Sequence, residues 1–182
     1  MKVLLVNGSP NVNGCTYTAL TECAKAIEAA GAEYEIIHVG KGPVYGCQAC
    51  FACHKLGKCV FDEDICNTLA EKMAQADGII IGSPVYYASI NGTLSAILDR
   101  VFFSAGAKFK NKPAAAVVSC RRGGASAAFD RLNKYFTISE MPVVSSRYWN
   151  SVHGFTPEDV LKDKEGLMVM RTLGKNMVYM IK

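Results

Sequence analysis

Apolar positions recur along the chain in two alternating rhythms, short unbroken runs and longer stretches spaced at three and four residues. Val3-Leu-Leu-Val6 is an unbroken run ended by Asn7-Gly8, the pattern of a strand buried on both faces. From Tyr17 to Ala30, Leu20, Cys23, Ala24 and Ile27 fall on one helical face. Glu33 to Val39 reads as a second strand. Ile65, Leu69, Met73 and Ala76 then predict a helix with Asp64 as N-cap, and Gly78-Ile-Ile-Ile-Gly82 a third, buried strand. Helices over Ile90 to Phe103 and Ala127 to Phe136 alternate with strands over Ala114 to Ser119 and Met141 to Ser145. Thr156-Pro-Glu-Asp159 opens a last helix, with Thr as cap, Pro at the first helical position and acids in the first turn.

Five strands alternating with five helices predict an α/β fold, a doubly wound parallel sheet with helices on both faces. The chain of 182 residues carries no repeat or linker and reads as a single domain, 1–182, with a cysteine-rich loop at 46–64. In such sheets a ligand lies beyond the carboxyl ends of the strands. Three loops there stand out, Gly8 to Thr16, Ser83 to Gly92 and Ser119 to Gly124.

Composition narrows the function classes. Half the residues are apolar, yet no run is long enough to span a bilayer, so no membrane is expected as a partner. The formal charge of +4 comes from interspersed Lys and Arg, which gives no argument for nucleic acid. The N-terminal stretch lacks a secretory pattern, and a cytoplasmic location is expected. Four of the eight cysteines crowd into one loop while Cys15, Cys23, Cys66 and Cys120 are scattered, which fits a reduced protein better than a disulfide framework.

The first loop, Gly8-Ser-Pro-Asn-Val-Asn-Gly-Cys-Thr16, has the small and hydroxyl residues of a phosphate cradle, with Ser9 and Thr16 as donors beside a helix N-terminus. It lacks the lysine of the triphosphatase loop and is not a G-x-G-x-x-G turn, so a nucleoside triphosphate or a Rossmann-bound dinucleotide is disfavoured. Cys15 is not expected to act as a phosphatase nucleophile, because Thr21 stands where the partner arginine would be. The second loop, with Tyr86 and Tyr87, suits the edge of a planar ring. In the third, Gly123 and Gly124 allow close backbone approach, and Arg121 and Arg122 offer charge to an anion. His38, His54 and His153 read as structural or surface residues, and no acid or base stands out as catalytic. Cys47, Cys50, Cys53 and Cys59 are spaced to converge on one centre, suited to an iron-sulfur cluster first and zinc second.

Three ordered motifs, Gly8-Ser-Pro-(x)3-Gly14-x-Thr16, Gly82-Ser-Pro-Val-Tyr-Tyr87 and Leu98-Asp-Arg100, resemble those of the flavodoxin-like NAD(P)H-dependent FMN reductases over roughly residues 1 to 154. The cysteine segment is similar to that of their iron-sulfur flavoprotein branch. The resemblance implies that Ser9, Asn13, Gly14, Cys15 and Thr16 surround an FMN phosphate. It places Pro84, Val85, Tyr86 and Tyr87 along the isoalloxazine, and Ser119, Gly123 and Gly124 at its far edge. Two departures stand out: Asn11 and Cys15 occupy positions where many relatives carry a basic residue and Asn.

The resemblance further implies a five-stranded flavodoxin-like fold, a homodimer or homotetramer, and Tyr148-Trp-Asn150 near the flavin or packed in the core or at an interface. The expected activity is transfer of electrons from NAD(P)H through FMN to a second acceptor, a small molecule (quinone, nitro or azo compound, or flavin), a protein or an iron-sulfur cluster. The cysteine loop is left with three readings, [4Fe-4S], zinc or free thiols. A flavodoxin-type electron carrier and a cysteine-based redox-sensing or partner-binding protein are the competing functions.

Overall fold

The computed structural model describes residues 1–182. In chain order the elements are β1 (Lys2–Asn7), α1 (Cys15–Ala29), β2 (Glu33–His38), α2 (Cys53–Leu56), α3 (Cys66–Gln75), β3 (Gly78–Pro84) and α4 (Gly92–Ala105). A short 3₁₀ turn (Gly106–Phe109) precedes β4 (Ala114–Cys120) and α5 (Ala125–Ile138), and β5 (Ser151–His153), α6 (Pro157–Lys162) and α7 (Lys164–Ile181) complete the chain. The strands form one parallel sheet in the order β2-β1-β3-β4-β5. Strand order reverses between β1 and β3, which opens a crevice at their carboxyl ends.

The unbroken apolar runs are central strands because both faces of the sheet are covered. Leu4, Val6, Ile79, Ile81, Ala114 and Ala116 point into one core with Leu69, Leu94, Ile97 and Phe136 from α3, α4 and α5. Val3, Leu5, Ile80, Ala115 and Val117 point into the other, against Leu20 and Ile27 of α1 and Leu173 and Met177 of α7. Each strand therefore serves two cores with a period of two. Gly174 lets α7 lie close on α1, since a Cβ there would come within 2.5 Å of the Cys23 carbonyl oxygen.

Four sequence expectations are corrected. Asp64 does not cap α3 as its first flanking residue; Ile65 holds that position, and Asp64 accepts from the Cys66 N–H at 3.0 Å while also taking Arg100. The last helix is two helices, since Asp163 ends α6 and caps α7 through the Gly166 N–H at 2.9 Å. With short α2 inside the cysteine loop, the chain has seven α-helices rather than five.

The fifth strand is not 141–145 but Ser151–His153. Val143 makes only an isolated bridge to Ala114 before the chain leaves the sheet. It rejoins through Asn150, whose buried Nδ2 donates to the Ala116 carbonyl at 3.0 Å and whose carbonyl accepts from the Val118 N–H at 3.0 Å. The side chain thus fills a gap in the ladder that backbone pairing leaves open. Asn150→Ala is expected to lower stability by about 1–3 kcal/mol by orphaning the buried Ala116 carbonyl, read as a lower midpoint in urea unfolding.

Candidate functional site

At the carboxyl edge the first loop is pinned before any ligand arrives. The buried Asn7 side chain donates to the Val12 carbonyl at 3.0 Å and accepts from the Ser9 N–H at 3.1 Å. Ser9 Oγ accepts from the Asn11 N–H at 3.1 Å, and His38 Nε2 lies 2.7 Å from the Ser9 carbonyl oxygen. The loop leads into α1 through Gly14, which is extended and offers no side chain to the helix. No side chain caps the N-terminus of α1, so its N–H groups and dipole face the crevice.

The second loop is a tight hairpin. Tyr86 and Ser89 exchange backbone bonds of 2.8 and 2.9 Å around Tyr87 and Ala88, both left-handed at φ 49° and 58°. The Val85 N–H donates to the Ser119 carbonyl at 2.9 Å, and Asn91 caps α4 through the Leu94 N–H at 3.1 Å. Gly124, at φ 89°, sits under this hairpin; a Cβ would come within 2.8 Å of the Ala88 Cα. Thr16 and Ser119 share a hydroxyl hydrogen bond of 2.8 Å, which joins the first loop to the end of β4.

These contacts enclose a cavity of about 260 Å³ lined by Ser9, Cys15, Thr16, Pro84, Val85, Tyr86 and Ser119 of the expected set. Asn13 and Gly14 shape the loop without lining it, Gly124 lies behind the wall against Ala88 and Val85, Gly123 is exposed and off the lining, and Tyr87 points fully into solvent. Asn11 and Arg121 do line it, as do Gly154 and Phe155, which the sequence reading missed. These last two follow β5, so placing that strand about ten residues early hid the loop at its carboxyl end. Arg121 lies over the Phe155 ring at 4.8 Å, a cation–π pair at the rim. Tyr148 and Trp149 line a separate shallow depression with His153 and Asp163. A wider groove of about 660 Å³ lies between α4 and α5, lined by Phe102, Phe103, Tyr135 and Ile138 with Cys47 at its edge, and it shares no residue with the carboxyl-edge cavity.

Partial burial pushes the Cys15 thiol above its ordinary range, its own backbone N–H offsets part of this, and Asp159 and Glu158 push it further up. Cys15 Sγ lies 3.8 Å from the Gly154 carbonyl oxygen and forms part of the cavity wall.

The four clustered cysteines line a second, narrow cavity together with Phe51, Phe61, Arg100 and Phe103. Cys53 and Cys59 are buried and Cys47 and Cys50 exposed, on a stretch where Ala49 and Phe51 are left-handed at φ 50° and 57°. The donor set, four thiols with a buried cation and no carboxylate in the lining, fits a soft metal centre. The cavity holds only about 20 Å³, and no three ligating side chains stand at metal-binding spacing, so loading requires the exposed 47–51 stretch to move. Cys66, buried behind them, is pushed up to about 12 by desolvation and remains a thiol.

Comparisons with known proteins give the chain a family and a fold. The family model described as NADPH-dependent FMN reductase matches residues 1–156. An iron-sulfur flavoprotein of Methanocaldococcus jannaschii is 33% identical over 190 residues, covering 100% of this chain and 98% of its own. Among solved structures, a flavone reductase superposes with a TM-score of 0.76 at 17% identity, covering 100% of this chain and 63% of its own. A flavodoxin from the domain Archaea superposes with a TM-score of 0.65 at 16% identity, covering 100% and 99%. The fold is flavodoxin-like.

A raised thiol pKa means less thiolate at any given pH. Cys15 is therefore expected to react with iodoacetamide more slowly at neutral pH than a free cysteine peptide, and to accelerate at a higher pH than the peptide does. Peptide mass spectrometry across a pH series reads both.

Proposed function

The chain belongs to the NADPH-dependent FMN reductase family and is an oxidoreductase, and from that premise we propose that the carboxyl-edge cavity binds FMN and uses NAD(P)H to reduce a second acceptor. The observation that carries this reading is the uncapped N-terminus of α1 facing a cavity whose walls are hydroxyl groups on one side and Val85 and Tyr86 on the other. When bound, the flavin supplies hydride acceptance and one-electron release. Ser9 and Thr16 hydroxyls and the α1 N–H groups hold the phosphate, while Val85, Tyr86 and Pro84 position the ring and exclude water from one side. Arg121, rather than Arg122, lines the cavity and is the candidate for selecting the 2′-phosphate of NADPH.

Cys47, Cys50, Cys53 and Cys59 would hold a [4Fe-4S] cluster, which would supply a one-electron acceptor beside the flavin; the all-thiol lining they share supports this reading. Zinc or free thiols are the other outcomes of metal analysis. The terminal acceptor is proposed to be a small molecule or a protein, the assembly a homodimer or homotetramer, and the location cytoplasmic. Eight free cysteines are consistent with a reducing compartment. No helix is long and apolar enough to cross a membrane.

Anaerobic purification with an absorption spectrum and FMN titration tests the central reading. A colourless chain that takes up no FMN overturns it, and FMN uptake without NAD(P)H oxidation leaves a flavodoxin-type carrier instead. Ser9→Ala and Thr16→Val are each expected to raise the FMN Kd about tenfold or more, the worth of one hydrogen bond to a charged group. Arg121→Ala is expected to raise KM for NADPH and leave that for NADH unchanged, measured by steady-state oxidation of each.

A further inference from the structure

Arg100 is 1% exposed, in the middle of α4, and all its nitrogens are spoken for. Nη1 donates to the Tyr45 carbonyl at 3.2 Å and pairs with Asp64, and Nη2 donates to the Phe61 carbonyl at 2.7 Å. Its Cζ lies 5.6 Å from the Phe61 ring centroid. These contacts pin the cysteine loop to α4. The remaining donor, Nε–H, points at the Cys59 sulfur at 3.2 Å. Pinning a loop by carbonyls alone would not aim a guanidinium N–H at one of the four clustered sulfurs.

Resting on the reading of these cysteines as ligands, we propose that Arg100 is a positioning residue that fixes Cys59 as the preformed anchor of the site and raises the reduction potential of the cluster bound there. The physical basis is charge. Reduction adds one electron to the cluster, and no bond or proton need change at Arg100. A buried cation and an N–H···S hydrogen bond stabilise the added negative charge more than they stabilise the oxidised form. Asp64, paired with the same guanidinium, partly cancels its charge and so sets how much of that effect reaches the sulfur. The cavity lining contributes no other charged group.

The test is anaerobic reconstitution of the full chain with iron and sulfide, followed by a spectroelectrochemical titration. Arg100→Met, which removes both charge and donor, is expected to shift the one-electron equilibrium at least tenfold toward the oxidised form, a midpoint lower by about 59 mV. Arg100→Lys keeps the charge but not the planar fork, and its midpoint is expected between the two. Asp64→Asn keeps an oxygen for the Cys66 N–H while removing the counter-charge, and its midpoint is expected above the wild-type value. If the Arg100 variants fold poorly or load no cluster, Asp64→Asn decides alone, because its opposite shift is not what a merely weakened loop gives.

Unchanged midpoints in loaded variants overturn the role of Arg100 and leave the cluster reading intact. Failure of the wild-type chain to take up iron and sulfide overturns the cluster reading, and this inference with it. Binding of FMN, measured on the same samples, separates both outcomes from a failed flavin site.

Discussion

The carboxyl edge of this sheet works because glycines at the strand ends let the first loop close directly on the end of β3. The Gly8 N–H donates to the Gly82 carbonyl at 2.8 Å, and a Cβ on Gly8 would come within 2.4 Å of Leu94 and 2.8 Å of that oxygen. A Cβ on Gly82 would come within 2.9 Å of Thr16. This close approach brings the first-loop hydroxyls beside the end of β3, where Thr16 also reaches Ser119 on β4. Without it the N-terminus of α1 would face solvent instead of a walled cavity. Packing at the switch point thus comes before any ligand chemistry, and the site inherits its shape from backbone contacts rather than from flexible side chains.

Helix α4 links this edge to the cysteine cavity. Its first turn is capped by Asn91, whose N–H in turn is held by Ser83 at 2.9 Å at the end of β3. Nine residues on, about 14 Å along the axis, Arg100 grips the cysteine loop. One rigid element therefore sets the aromatic hairpin at one end and the thiol cavity further along. The arrangement gives the two sites a fixed relation even though the cysteine loop itself has little regular structure beyond α2.

The strands with unbroken apolar runs were legible because burial on both faces leaves no alternative to β1, β3 and β4. The first two loops were legible for a related reason: Gly8-Ser-Pro and Gly82-Ser-Pro mark strand ends with unusual chemistry. Strand β5 was not. The apolar stretch at 141–145 has the composition of a strand, but it pairs with β4 only at Val143, and the real strand hides in Ser151-Val-His153 behind a polar Asn150. Asn150 acts as a ladder partner through its side chain, a role invisible to any periodicity. The same error concealed Gly154 and Phe155, since a loop is recognised as part of the site only when the strand before it is placed. Arg100 was visible as part of a motif, but its contacts join residues more than 30 positions apart, which spacing does not encode.

Burying Arg100 and Asp64 together is costly, because desolvation of both charges offsets much of their mutual attraction. Burial works against the Arg100 cation, and the Asp64 and Cys59 partners outweigh it to raise its pKa further. A well-packed apolar residue would hold the loop to α4 at lower cost. What an apolar residue does not supply is a positive charge and a directed donor beside the thiols. The carboxyl-edge cavity stands without this pair, since none of its wall residues contacts Arg100 or Asp64 through a hydrogen bond. The directed Nε–H is therefore accounted for by the Cys59 sulfur it meets, and the chain is a flavodoxin-like fold to which a separately built thiol cavity is fastened through α4.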